Sequence, residues 1–226
     1  MAGKTTEQTE VVDQRRDQML VAAAELIAER GFSETRIADV AKRVGASPAL
    51  VIYYFGTKDN LLTEALRYSE NNFYVHCNEM LASTPGVRER LENLVRLTCV
   101  PQGDDEIQGA WGLWFDLWAQ AFRHPQVAKD RVELEQRWRA TIEGVVKDGI
   151  AAGEIGAVDA QDFAVTWAVV LDGLSIQVAL QDTIVTPDRA FDIAMTLAEQ
   201  ALSLPPARRR GKKTTRSSSN GKATRR

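Results

Sequence analysis

Apolar residues recur at helical spacing through almost the whole chain, and nowhere do they alternate in the two-residue rhythm of a strand. Met19/Leu20, Ala23/Ala24 and Ile27 trace one stripe of a first helix, predicted over 15–30, and Gly31 follows where a left-handed C-terminal cap belongs. Ile37, Val40, Ala41 and Val44 form the inward face of a second helix, predicted from Thr35 as N-cap to Val44 and stopped by Gly45. A third helix opens with Ser47 as N-cap and Pro48 in its first turn, where a missing N–H costs nothing, and closes near Phe55-Gly56. Thr57 then caps a long fourth helix, predicted to about Leu81, which carries the chain ~30 Å onward.

Five more helical stretches follow, at 87–99, 107–123, 126–152, 159–182 and 188–203. Pro85-Gly86, a loop over 101–106, His124-Pro125, Gly153 and Thr186-Pro187 punctuate them. Consecutive helical patterns with short connections predict an all-α fold in two parts. The expected domains are a disordered polar arm over 1–14, a helix-turn-helix unit over 15–66, a helical effector-binding and dimerisation unit over 67–204, and a disordered basic tail over 205–226.

Composition changes this picture in one respect. The 226 residues carry a net charge of −3, but residues 205–226 hold nine Lys or Arg and no acid. The remaining 204 residues hold 19 basic and 31 acidic side chains, a balance of −12. Such a body excludes a non-specific nucleic-acid coat, so DNA binding must come from a local face and from shape. Arg208, Arg209, Arg210, Lys212, Lys213 and Arg216 could add salt-sensitive affinity by counterion release, or simply solubilise the terminus. No apolar run approaches the ~20 residues that span a bilayer, and Lys4, Glu7 and Glu10 interrupt any signal-peptide core, so a cytoplasmic protein without membrane contact is expected. Cys77 and Cys99 fit buried reduced thiols.

The glycine turn between the second and third helices is the geometry that lays one helix into a DNA major groove. Val51 and Phe55, four apart, would lock the third helix onto the first two. The opposite face presents Ser47, Pro48, Ala49, Leu50, Tyr53 and Tyr54. Short side chains at the start of this helix allow close approach to base edges, with Ala49 and Leu50 suited to thymine methyls. Tyrosine hydroxyls, the Lys58 ammonium and free N–H groups at helix starts suit phosphate oxygens. Core packing is the alternative for both tyrosines, and a solvated charge is the alternative for Arg36.

The same region resembles the TetR family of bacterial transcriptional regulators over 15–66. The resemblance rests on Ala23-Ala24, Gly31-Phe32, Thr35, Ile37, Asp39-Val40-Ala41, Gly45-Ala46-Ser47, Tyr53-Tyr54-Phe55 and Lys58-Asp59-Asn60-Leu61-Leu62 at fixed spacing. It implies backbone contacts from the positions of Thr35, Tyr53, Tyr54 and Lys58, and base-facing positions at Ser47 to Leu50. One departure is Ile52, where the family usually places a phosphate-binding tyrosine. The resemblance further implies a homodimer on double-stranded DNA with a palindromic operator, paired through the last two helices. Those helices carry small residues, Ala164, Ala168, Ala179, Ala190, Ala194 and Ala198, that allow close approach.

Trp111, Trp114, Phe115, Trp118 and Phe122 share a stripe on the sixth helix, which is more indole than an ordinary core requires. With Trp138 and Trp167 they could close a cavity, with Asn72, Asp116, Asp172 and Gln177 as polar fixing groups and Phe73 linking it to the fourth helix. Trp114 to Ala121, with Asp172-Gly173-Leu174, looks like the sensor domain of the branch that includes the choline-responsive repressors. Carboxylates among indoles suit an organic cation as small-molecule effector; hydrophobic acids and acyl thioesters are the alternatives. Effector binding would then shift the fourth helix and release DNA. His76 and His124 are isolated, and no nucleophile elbow, phosphate loop or metal-type cysteine pair occurs, so neither an enzyme nor a cofactor or metal is expected. A helical carrier and an architectural DNA-binding protein are the competing functions.

Overall fold

A computed structural model describes residues 3–100, 106–123 and 125–204; the side chains of 3–13, 106–111, 126 and 130 fall outside that description. The described residues form nine helices and no strand: α1 (Gly3–Arg30), α2 (Ile37–Arg43), α3 (Pro48–Phe55), α4 (Lys58–Ser83), α5 (Val87–Cys99), α6 (Glu106–Ala121), α7 (Pro125–Ala151), α8 (Ala160–Ala179) and α9 (Pro187–Leu202). Caps set these limits much as the sequence predicts. The hydroxyls of Ser47, Thr57 and Thr186 accept from the backbone N–H three residues on, and the Asp159 carboxylate does the same for α8.

Two expectations need correction. The helical backbone begins at Gly3, so the arm expected to be disordered joins α1; nothing after Gly3 breaks a helix there. Thr35 is not the N-cap of α2. Arg36 is, without a side-chain cap bond, because the Thr35 hydroxyl donates instead to the Gly31 carbonyl at 2.9 Å. The basic tail lies outside the described residues.

Two apolar clusters organise the packing. The first gathers Met19, Leu20, Ala23, Leu26 and Ile27 of α1, Val40 and Ala41 of α2, Val51 and Phe55 of α3, and Leu61, Leu62, Ala65 and Leu66 of α4. Leu113 and Leu117 of α6 and Val127 of α7 complete it. The second joins the far end of α4 to α5, α7, α8 and α9. The alanine stripe belongs here: Ala164, Ala168, Ala190, Ala194 and Ala198 are buried within the protomer. They bring α8 and α9 together and do not form an outward surface. The outward side of these helices exposes Val165, Val169 and Leu197 instead.

By length and composition α8 does pass for a bilayer-crossing helix, unlike the sequence expectation. In the fold, Phe163, Trp167, Leu171 and Leu174 spend that apolar character on the second cluster. Cys77 and Cys99 are buried free thiols, and burial pushes Cys77 up to about 11.

Candidate functional site

The turn before α3 depends on Gly45, whose φ of +63° is open to glycine at no steric cost. Ala46 N–H reaches back to the Ala41 carbonyl at 2.8 Å, closing the end of α2 and aiming α3 away from it. Val51 is fully buried and Phe55 nearly so, which fixes the rotation of α3. Ser47, Pro48 and Ala49 then stand exposed at its N-terminus. The two tyrosines divide. Tyr53 is 81% exposed, whereas Tyr54 is half-buried against the first cluster and meets Tyr53 edge-on at 5.6 Å. Leu50 is likewise half-buried and packed inward.

Lys58 donates to the Ser33 carbonyl at 2.8 Å, which holds its ammonium beside the α1–α2 loop, and Arg36 is exposed near it in sequence. Thr35 is fully buried, so its side chain cannot meet a phosphate, and the role carried over by resemblance is withdrawn. Its hydroxyl serves the turn. Arg43 clamps α2 to α1 through two bonds to Glu29, at 2.7 and 2.9 Å, and that guanidinium holds the Glu29 carboxyl below the usual range.

A cavity of about 590 Å³ opens where α6, α7 and α8 meet. Trp118, Ala121 and Phe122 wall it from α6 and the residues after it, Ala128, Arg131 and Glu135 from α7, and Asp172 and Ile176 from α8. Burial raises the Asp172 carboxyl above its ordinary value, and the nearby charges of Arg139 and Arg131 only partly offset this. Among the described residues, no hydrogen bond or ion pair within 4.0 Å reaches that carboxylate. Glu135 sits between Arg131, with which it forms a close ion pair, and Arg139 at 3.3 Å.

Of the residues assigned to a ligand site by sequence, the structure brings Trp118 and Asp172 to this cavity and Trp114 and Phe115 to the edge of Trp118, with ring centroids at 6.4 and 6.0 Å. The others are elsewhere. Trp167 is core, stacked on Phe163 with its indole N–H donating to the Ala194 carbonyl at 3.0 Å. Phe73 and Trp138 pack on each other and on the second cluster. Asn72 and Gln177 are exposed and do not line the cavity, and the Trp111 side chain lies outside the described residues. Arg131 and Glu135 were missed; their i,i+4 spacing beside Arg139 on the helix after the tryptophans was the available signal.

Asp116 has a different task. Its carboxylate accepts the Phe32 N–H at 2.9 Å, just past the end of α1, where Gly31 turns with φ of +86°. Four residues earlier, a Cβ added at Gly112 would lie 3.0 Å from the Ala28 carbonyl oxygen, so α6 and α1 cross at close range. The helix that lines the cavity through Trp118 is therefore bonded to the DNA-reading unit through Asp116, and α4 does not line the cavity at all. Among the described residues α6, not α4, is the helix that both lines the cavity and is bonded to the turn after α1.

Two family models match the chain. The family model for the bacterial regulatory proteins of the tetR family matches residues 19–65, and that for the BetI-type transcriptional repressor C-terminal domain matches residues 87–203. The chain belongs to the TetR family. It is a DNA-binding transcriptional regulator of the BetI repressor type and not an enzyme. Among its relatives, the HTH-type transcriptional regulator BetI of Stenotrophomonas maltophilia is 30% identical over 125 residues, which is 54% of this chain and 62% of that protein, less than two thirds of its length. The Brucella anthropi BetI is 27% identical over 181 residues, 72% of this chain and 93% of that protein.

Among solved structures, a transcriptional regulator from Saccharomonospora viridis in complex with choline is 28% identical with a TM-score of 0.73, covering 83% of this chain and 96% of that one. A TetR-family regulator from Rhodococcus sp. is 25% identical with a TM-score of 0.72, covering 84% and 99%. TetR and BetI regulators bind operator DNA and act as dimers, which gives the exposed apolar side of α8 and α9 a natural use.

Proposed function

We propose that this TetR-family chain is a cytoplasmic homodimeric repressor that leaves a palindromic operator when a small molecule with an organic-cation headgroup enters the cavity between α6, α7 and α8. The observation that carries this reading is the half-buried Asp172 carboxylate in the same cavity as the Trp118 indole. A buried carboxylate favours a cation beside it, and an indole face attracts a cation that is too weakly hydrated to stay in water. The choline bound by the Saccharomonospora relative is of this chemistry. Val165, Val169 and Leu197 form the mating surface, and the two copies of α3 read half-sites about one helical turn, or a multiple of it, apart. Release follows only if the effector binds the spread state more tightly than the DNA-bound one, and α6 with its Asp116 bond to Phe32 transmits the change.

The test is a gel shift on the DNA upstream of the protein's own gene, with choline as effector. Wild type should shift the fragment and release it as choline rises. Trp118→Ala should hold the same DNA with unchanged affinity but need about tenfold more choline, the loss of one desolvated cation–π contact. Release at the wild-type concentration would remove the cavity from the mechanism.

The DNA face gives a second test. Tyr53→Ala combined with Lys58→Ala should weaken operator binding about tenfold, the loss of charge-assisted bonds to phosphate, with dimer and fold intact by sizing and circular dichroism. Unchanged affinity would place the phosphate contacts elsewhere on the unit.

A further inference from the structure

Three charged side chains line the sensor cavity and a fourth backs them, and their arrangement defines the effector beyond its cationic end. Asp172 lines it from α8, with no ion-pair partner within 4.0 Å among the described residues. Across it on α7, Arg131 and Glu135 both line the wall, and Arg139 stands one turn behind. Glu135 gives one carboxylate oxygen to Arg131 and the other to Arg139. A guanidinium carries five N–H donors, so Arg131 keeps most of its donors after serving Glu135. The triad of two guanidiniums and one carboxylate holds one net positive charge, opposite the single negative charge of Asp172.

The site's own charges therefore cancel. A simple monocation settling against Asp172 would leave the triad's positive charge unmatched in a partly dry cavity, and that is unfavourable. A ligand with a cationic end and an anionic end matches both poles at once.

We propose that the effector is a zwitterion, an alkylammonio-carboxylate whose quaternary or protonated nitrogen lies against Trp118 and Asp172 and whose carboxylate is received by Arg131. This inference rests on the sensor reading above. The ligand's carboxylate meets the guanidinium donors that Glu135 leaves unused, and Glu135, held from both sides, does not repel it because Arg131 and Arg139 outweigh its charge. Phe122, 93% exposed at the rim, is placed to cover the alkyl spacer.

Isothermal titration calorimetry on the full chain tests this with three probes: choline, glycine betaine and γ-butyrobetaine. Wild type should bind at least one betaine about tenfold more tightly than choline, the worth of a charge-assisted bond to its carboxylate. Arg131→Gln should reverse the order, weakening that betaine about tenfold while choline binds as well or better, since the remaining charges then sum to minus one. Arg131 is a third exposed, so the variant keeps the fold, which circular dichroism checks. Choline binding as tightly as both betaines, or Arg131→Gln weakening all three alike, overturns the zwitterion assignment and leaves the cation sensor standing. Failure of all three probes to bind either protein overturns both.

Discussion

Trp167→Ala is expected to destabilise the protein by about 3–5 kcal/mol, the usual cost of removing a large aromatic side chain from a closed core. Trp167 is 1% exposed, stacks on Phe163 with centroids 5.7 Å apart, and donates its indole N–H to the α9 carbonyl of Ala194 at 3.0 Å. Truncation opens a cavity between α8 and α9 and removes the indole's bond to a carbonyl of α9, two costs that act together. A residue lining an effector cavity behaves differently: its loss alters ligand affinity and leaves stability nearly unchanged. Urea unfolding of the full chain separates the two roles. A shift in midpoint near that of a surface substitution would return Trp167 to a ligand-facing position. Because α8 and α9 also carry the exposed apolar surface assigned to dimerisation, sizing of the variant should show monomer before it shows unfolded chain.

Asp172→Asn is expected to cost about a hundredfold in choline affinity, since an organic cation would then be buried without its counter-charge. The same substitution should raise the melting temperature of the ligand-free protein. The sign follows from the direction of the carboxyl's shift. Burial raises it in the fold, so the ionised form is the disfavoured one there, and at neutral pH the fold carries that penalty. Asparagine has no charge to desolvate. The gain should therefore be present at neutral pH and vanish in acid, where the wild-type carboxyl takes up its proton. Thermal melts across that range, with calorimetry on choline, read both effects. A variant that is less stable at neutral pH, or binds choline as before, would make Asp172 a structural residue.

The helices were legible because their ends are marked by chemistry that acts locally. Ser47 and Thr57 cap in the structure as predicted, Asp159 and Thr186 prove to cap their helices in the same way, and the apolar stripe of α3 fixes which face turns inward. The outward face of α3 follows from that rotation, so Ser47, Pro48, Ala49 and Tyr53 are exposed on it. Thr35 misled because a hydroxyl at a helix start can serve either the helix or the turn before it, and only the chain path around Gly31 decides. The cavity between α6, α7 and α8 was half legible. Aromatic residues on one stripe announce something unusual, but a tryptophan looks the same in a core as at a cavity wall. Trp118 and Trp167 differ only in what crosses over them. Asp116 looked like a ligand group, and its real partner lies 84 positions away in sequence. Long-range pairings of that sort leave no trace in local pattern.

The first apolar cluster borrows Leu113, Leu117 and Val127 from helices far along the chain. A reading head excised at residue 66 would thus show water the greasy hollow those three normally fill, and should clump or hold its shape poorly. Hybrid repressors made by grafting this head onto a foreign sensor inherit the same debt: the graft works only when the donor brings a matching sixth helix along.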